Sequence, residues 1–261
     1  MKSEKTVHLS EAEIKEVRRC ASAKLGECRK TNDVIGTQIF SILGKYARVI
    51  YYPLGKDAPW GFTHVDESLA DSSRPFVAIN TSISVDRQVF AAAHELYHIW
   101  FDPNGEKEQM ARRFAAEFLI DALILKQEMI TYNIDEKNIT VKDILHLCDL
   151  FVVPYHTMVK RLVETEVINN ETANQFNSYT EEQISVFRKR YSFKESAGAE
   201  NVQIDNLIEL SVAAYEKKQI TYEKLEYLLD MSGIKPADVG IEESKPYIFP
   251  SDDELDSIME E

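Results

Sequence analysis

Between Ser84 and Phe101 apolar residues recur at helical spacing (Val89, Ala92, Ala93, Leu96, Ile99 and Trp100), and the same stretch carries the run His94-Glu95-Leu96-Tyr97-His98. The periodicity predicts a helix buried along one stripe. Residues four apart share one helix face, so the two imidazoles can converge on one ion. Neutral imidazole suits a divalent metal, and a third protein ligand would leave one position open for water. A glutamate next to the first histidine can take a proton from that water. An HExxH run inside a predicted helix therefore points to a metal site at His94 and His98, with Glu95 as general base. The bland alternative is a hydrogen-bonded histidine pair on a core helix. Placement after a predicted sheet and before a tight reversal favours the metal site.

The segments around this helix predict an α+β fold. Ser10-Glu11-Ala12-Glu13 reads as a capping box opening a helix to about Leu25. A second helix is predicted over Val34 to Lys45. Three β-rich runs follow, Ala47–Tyr52, Trp60–Val65 and Phe76–Ile79, separated by Pro53-Leu54-Gly55 and the polar stretch Asp66–Pro75, which predicts a small twisted sheet. Ser84 is placed to cap the motif helix, and Asp102-Pro103-Asn104-Gly105 ends it and allows a reversal. Further helices are predicted at Glu106–Leu125, Val141–Leu150, Pro154–Thr165, Glu181–Arg190, Ile204–Lys217 and Tyr222–Met231. The Asn-rich segment Asn169–Thr180 reads as a linker. The expected organisation is a metal-bearing domain over residues 1–170 and a mostly helical region over 171–261, whose acidic tail Ser251–Glu261 is expected to be mobile.

Composition narrows the function classes. The chain has 261 residues, 30 Lys and Arg against 44 Asp and Glu, and a net charge of −14. From Asn201 to Glu261 there are 15 acidic and 5 basic residues, so that stretch holds −10 of the total. Such a balance argues against a general affinity for nucleic acid. No apolar run reaches the length of a membrane span. The opening Met1-Lys2-Ser3-Glu4-Lys5 carries no apolar export signal, and three scattered cysteines (Cys20, Cys28, Cys148) form no metal-ligand pairing. A cytoplasmic location is expected.

The third ligand is expected from the returning helix, where Glu106, Glu108 and Glu117 are the candidates by spacing. Nothing after His98 extends the run to HExxHxxGxxH, so a three-histidine site is excluded and a two-His, one-Glu site is the working expectation. Zinc is the natural occupant, one per chain, with manganese or iron also compatible with these ligands.

Arg87 through His98 is similar to the active-site helix of the ImmA/IrrE family of zinc metallopeptidases. Glu108-Gln109-Met110-Ala111-Arg112-Arg113-Phe114-Ala115-Ala116-Glu117-Phe118-Leu119 resembles that family's next signature, roughly E-x-x-A-N-x-F-A-A-E-x-L. The first glutamate of the signature is the family's third ligand, and it falls on Glu108. Gly61-Phe62, Phe76–Asn80 and the segment Asp143–Leu162 are also similar, so the likeness covers about Val34 to Asn169. It departs at Tyr97, where a glycine is usual, at Arg112 in place of asparagine, and at Ile120-Asp121 in place of Met-Pro. Tyr97 is expected to narrow the cleft beside the metal. The resemblance implies an endopeptidase acting on regulatory proteins, typically helix-turn-helix repressors or antitoxins of phage, mobile-element or stress-response systems. No DNA-binding domain is evident at the N-terminus, so a separately encoded repressor or antitoxin is the expected partner. The alternative reading is a zinc-stabilised module that sequesters a repressor without cutting it.

Weaker signals are weighed beside these. Phe76–Asn80 reads either as an edge strand that holds an extended substrate or as an ordinary core strand. Tyr155 and His156 are candidates for stabilising an oxyanion, although a surface turn is the simpler reading, and His64 is an improbable ligand beside Glu108. Trp100 and Phe101 are expected to pack the end of the motif helix. Two amphipathic helices between Ile204 and Val239, with Ser232-Gly233, loosely resemble a helix-turn-helix, but their acidic charge favours a partner-binding or covering role.

Overall fold

The structure, a computed structural model, describes residues 9–64, 74–194, 198, 203–204 and 207–242. The fold is α+β. Helix α1 (Glu11–Glu27) starts at the expected capping box, in which Ser10 and Glu13 satisfy each other's backbone N–H groups. Helix α2 (Gln38–Tyr46) begins later than the apolar pattern predicts. Gly36 adopts φ +48° and an added Cβ would sit 3.3 Å from Val152 Cγ2, so the chain turns there instead of continuing a helix from Val34.

Four strands form one sheet in the order β2-β3-β1-β4: β1 (Arg48–Tyr52), β2 (Gly61–His64), β3 (Phe76–Asn80) and β4 (Gln203–Ile204). Strands β1 and β3 run parallel, and the outer pairs are antiparallel. Phe76–Asn80 is thus an interior strand with a partner on each side, and among the described residues β2 holds the sheet edge. This corrects the edge-strand reading of Phe76–Asn80. The side chain of Asn80, fully buried, accepts from the Leu54 and Ser82 N–H groups and donates to the Gly55 and Pro59 carbonyls. The three bonds to Leu54, Gly55 and Pro59 fold the loop between β1 and β2 over the end of β3.

Helix α3 (Val85–Phe101) lies under the sheet with Val89, Ala92, Ala93 and Leu96 buried, as the periodicity requires. Ser84 occupies the N-cap position but makes no side-chain capping bond; Gln88 instead donates to the Ile83 carbonyl at 2.8 Å. The single helix expected over Glu106–Leu125 is two, α4 (Glu108–Leu119) and α5 (Ala122–Thr131). Ile120 leaves helical geometry so that its carbonyl can accept from Arg161 Nε at 2.8 Å, and Asp121 then caps α5 through the Leu123 and Ile124 N–H groups. Helices α6 (Val141–Phe151) and α7 (Tyr155–Glu164) follow, close to their expected bounds. The expected linker is not one: Asn169 caps helix α8 (Asn170–Asn177), which buries Ala173 and Phe176 against α7. Helix α9 (Glu181–Arg190) completes the series.

The chain divides into two compact units between residues 205 and 206. Helices α8 and α9 belong to the first, beyond the boundary at 170 expected from sequence. The second unit is a helical hairpin, α10 (Leu207–Glu216) and α11 (Tyr222–Asp230), with Leu225 and Leu229 buried and a 3₁₀ turn over Pro236–Val239. The tail expected to be mobile lies outside the described residues. Among those described, no helix is long and apolar enough to cross a membrane.

One polar cluster ties α4 to its neighbours. Glu117, 4% exposed, accepts from Arg113 Nε on its own helix and from Arg161 Nη2 on α7, while Arg113 Nη1 lies 2.7 Å from Glu164 on α7. Arg18 of α1 approaches the same carboxylate at 3.5 Å. The neighbouring arginines hold the Glu117 carboxyl below its usual range despite its burial. Glu117→Ala would leave the buried Arg161 with only the longer 3.4 Å contact to Glu164 as a carboxylate partner, and a loss of about 3–5 kcal/mol is expected from urea unfolding. A loss below about 1 kcal/mol would mean that the cluster is effectively solvated.

Candidate metal centre

The motif helix and the reversal after it bring three ligand atoms together. His94 Nε2 and His98 Nε2 are 3.1 Å apart, Glu108 Oε2 lies 3.3 Å from His94 Nε2, and Glu108 Oε1 lies 3.5 Å from His98 Nε2. Three ligands about 2.0–2.1 Å from a tetrahedral centre stand roughly 3.3 Å from one another, so these spacings fit a divalent ion. Among the described residues, this is the group of three able to hold a metal ion. Of the other two glutamates, Glu117 is committed to the arginine cluster, and Glu106 lies exposed in the turn before α4.

Asp102 makes the convergence specific. As the C-terminal cap of α3 it lies four residues beyond His98, and its carboxylate stands 3.1 Å from His98 Nδ1. An acceptor there assigns the imidazole proton to Nδ1 and leaves the Nε2 lone pair aimed at His94 and Glu108. The same carboxylate accepts from the Lys107 N–H at 2.7 Å, and the Asp102 carbonyl accepts from Gly105 N–H at 2.9 Å, with Gly105 at φ +68°. One residue therefore orients a ligand and shapes the turn that delivers Glu108. In sequence Asp102 reads only as a helix breaker, although a carboxylate one turn after the second histidine is a signal for an orienting partner.

Electrostatics keep both motif groups in usable states. Burial, reinforced by the charges of His98 and Arg112, pushes His94 down to about 3, so its imidazole is neutral at physiological pH. Burial pushes the Glu95 carboxyl up, against the opposing pull of a hydrogen bond from Thr63 Oγ1 at 2.7 Å. Thr63 and Gly61 belong to edge strand β2. At Gly61 an added Cβ would lie 3.3 Å from Glu95 Oε1 and 3.2 Å from the Ala78 carbonyl, so the missing side chain is what allows the strand so close to Glu95. Neither contact was legible in sequence, because each depends on which strand lies over α3.

The group opens into a cleft of about 1050 Å³. One wall is β2 and the preceding loop, including Trp60 and Phe62; the other is α4 and α7, including Arg112, Lys160 and His156. Tyr97 does not line it. Its ring is buried against Phe101 and Phe114, each at 5.5 Å between centroids, so the expected narrowing beside the metal does not occur. Trp100 and Phe101 join that aromatic cluster, as expected. Tyr155 is buried with its hydroxyl unbonded and lies outside the cleft lining, whereas His156 is exposed on it. His64 is exposed at the end of β2, away from the three ligand atoms.

Comparison with curated proteins and with solved structures finds no match. Residues 47–163 match the family model of Peptidase M78, the IrrE N-terminal-like domain. That span contains the sheet strands β1 to β3, the motif helix, α4 and nearly all of α7. The chain therefore carries a metallopeptidase-like domain, similar over this span to the IrrE N-terminal-like family.

Proposed function

We propose that this protein is a zinc-dependent endopeptidase that cleaves a regulatory protein, with His94, His98 and Glu108 as ligands and Glu95 as general base and acid. The observation that carries the reading is the convergence of His94, His98 and Glu108 beside a buried Glu95, all lining one cleft of about 1050 Å³. The donor set fits zinc, and when bound the ion acidifies a water to a pKa near about 7 and polarises a carbonyl. Glu95 accepts a proton from the attacking water and returns it to the leaving amine. Burial makes its carboxylate a stronger base, which favours taking the water proton. Thr63 holds the carboxylate in place, and Asp102 holds His98 in the tautomer that a ligand needs.

Strand β2 pairs with β3 on one side, and the cleft lies along its residues Gly61 to Thr63. An extended peptide can add to that edge by main-chain hydrogen bonds, with Trp60 and Phe62 as apolar contacts. The substrate class, a separately encoded helix-turn-helix repressor or antitoxin, follows from the family resemblance. Co-incubation with the repressor encoded nearest to this gene, with and without a chelator, tests it by mass spectrometry. Chelator-sensitive cleavage is expected, and an intact repressor after prolonged incubation with metal-loaded protein would contradict it.

Three substitutions separate the roles. Glu95→Gln is expected to keep about one zinc per chain while lowering cleavage by roughly 10²–10⁴-fold; retained cleavage would refute its assignment. His94→Ala is expected to lose the metal, as measured by atomic emission. Asp102→Ala is expected to weaken metal affinity by roughly 10–100-fold in a competitive chelator titration, and unchanged affinity would show that His98 needs no orienting partner.

A further inference from the structure

We propose that the α4–α7 wall of the cleft is a carboxylate subsite, in which Arg112 and Lys160 bind an acidic side chain of the polypeptide held beside the metal centre. The proposal rests on the peptidase reading for the kind of ligand, a polypeptide, and on the wall itself for the chemistry.

Two helical stripes build the wall. On α4, Glu108, Arg112 and Ala116 are spaced four apart, and all three line the cleft. On α7, His156, Lys160 and Glu164 repeat the spacing and also line it. Residues so spaced stand one above another on a helix face, so Arg112 is the next side chain along the wall after the ligand Glu108. The ion pair between Arg113 and Glu164 at 2.7 Å locks the two helices together.

The charges sort cleanly. Arg113 is taken by Glu117 and Glu164, and Glu95 and Glu108 belong to the metal centre. His156 Nδ1 lies 3.2 Å from Asn177 Oδ1. Arg112 and Lys160 remain, both exposed, and neither has a carboxylate within 4.0 Å among the described residues. The other acidic lining residue, Asp57, comes from the loop between β1 and β2 on the opposite side.

Two uncommitted cations at one wall of a cleft are conspicuous in a chain of net charge −14. The apolar side chains of Trp60, Phe62 and Phe90 across the cleft lower the local dielectric and strengthen any ion pair formed there. A guanidinium offers a planar fork matched to a carboxylate.

The test uses full-length Glu95→Gln protein loaded with zinc, which binds without turnover, and fluorescence anisotropy. One probe series is an amidated decapeptide scanned with a single Glu or Gln at each position; a second has no internal acid and a free C-terminal carboxylate. At one or two positions, Glu is expected to bind roughly 3- to 10-fold tighter than Gln at low ionic strength, with the difference collapsing at high salt. Arg112→Gln combined with Lys160→Gln should abolish the difference, and Arg112→Glu should favour a Lys-bearing peptide instead. Equal binding of Glu and Gln at every position overturns the proposal, as does a preference that survives the double substitution. A preference confined to the free C-terminus also overturns it, because the wall would then read a chain end. The same peptides incubated with zinc-loaded wild-type protein separate the two readings. Acid-selective binding without cleavage leaves the subsite standing and removes the peptidase, whereas cleavage without acid selectivity does the reverse.

Discussion

The carboxylate of Asp102 stands where helix geometry and metal chemistry meet. It bonds to the ring nitrogen of His98 that faces away from the ligand cluster, and to the backbone at Lys107 one reversal later. The first bond sets which nitrogen carries the proton; the second sets where α4 begins. Because Glu108 is the first residue of α4, the position of the third ligand relative to the first two is decided within a turn of a few residues. A short, hydrogen-bonded turn varies little, so the three ligand atoms can stand at metal-binding distance without a long loop to order.

The rest of the first unit serves this arrangement from outside. Helix α1 packs along α4, and the Glu117 cluster binds α4 to α7, so the helix carrying Glu108 is held on two sides. On the other side, β2 comes close enough to Glu95 for Thr63 to donate to it, which the absence of a side chain at Gly61 permits. Asn80 fixes the loop that brings Trp60 to the rim. The cleft consequently has two unlike walls, a strand that is at the sheet edge among the described residues and a pair of helices with charged side chains. One suits recognition of any extended chain, and the other suits recognition of particular side chains.

Two of the three departures from the family pattern, Tyr97 and Arg112, have opposite consequences. Tyr97 is a packing change: it fills space between α3 and α4, with Phe101 and Phe114, and leaves the cleft alone. Arg112 is a surface change inside the cleft, one turn from a ligand, and alters what the wall can bind. Spacing distinguishes them after the fact. Position 97 is next to a ligand in sequence but a hundred degrees around the helix from it, whereas position 112 is one turn from Glu108 on the same face.

The amino-acid sequence by itself determined the motif helix, its two imidazoles and the adjacent glutamate, because a local period of 3.6 residues sets which side chains share a face. It also determined the capping box of α1 and the strands β1 to β3, which rest on local propensity. Spacing left three glutamates open as the third ligand, and the family signature pointed to Glu108; only the folded turn at Asp102–Gly105 carried that residue to the histidines. The order of the strands, which decided that Phe76–Asn80 is interior and Gly61–His64 lies outside it, came from hydrogen bonds between segments distant in sequence. So did the break at Ile120, where a buried arginine on α7 claims the carbonyl, and the burial of α8, whose polar, Asn-rich sequence hides two apolar residues that find a surface only when α7 is in place. Local periodicity is written in consecutive residues; the partners of an edge, a carbonyl or a buried charge exist only once distant segments have met.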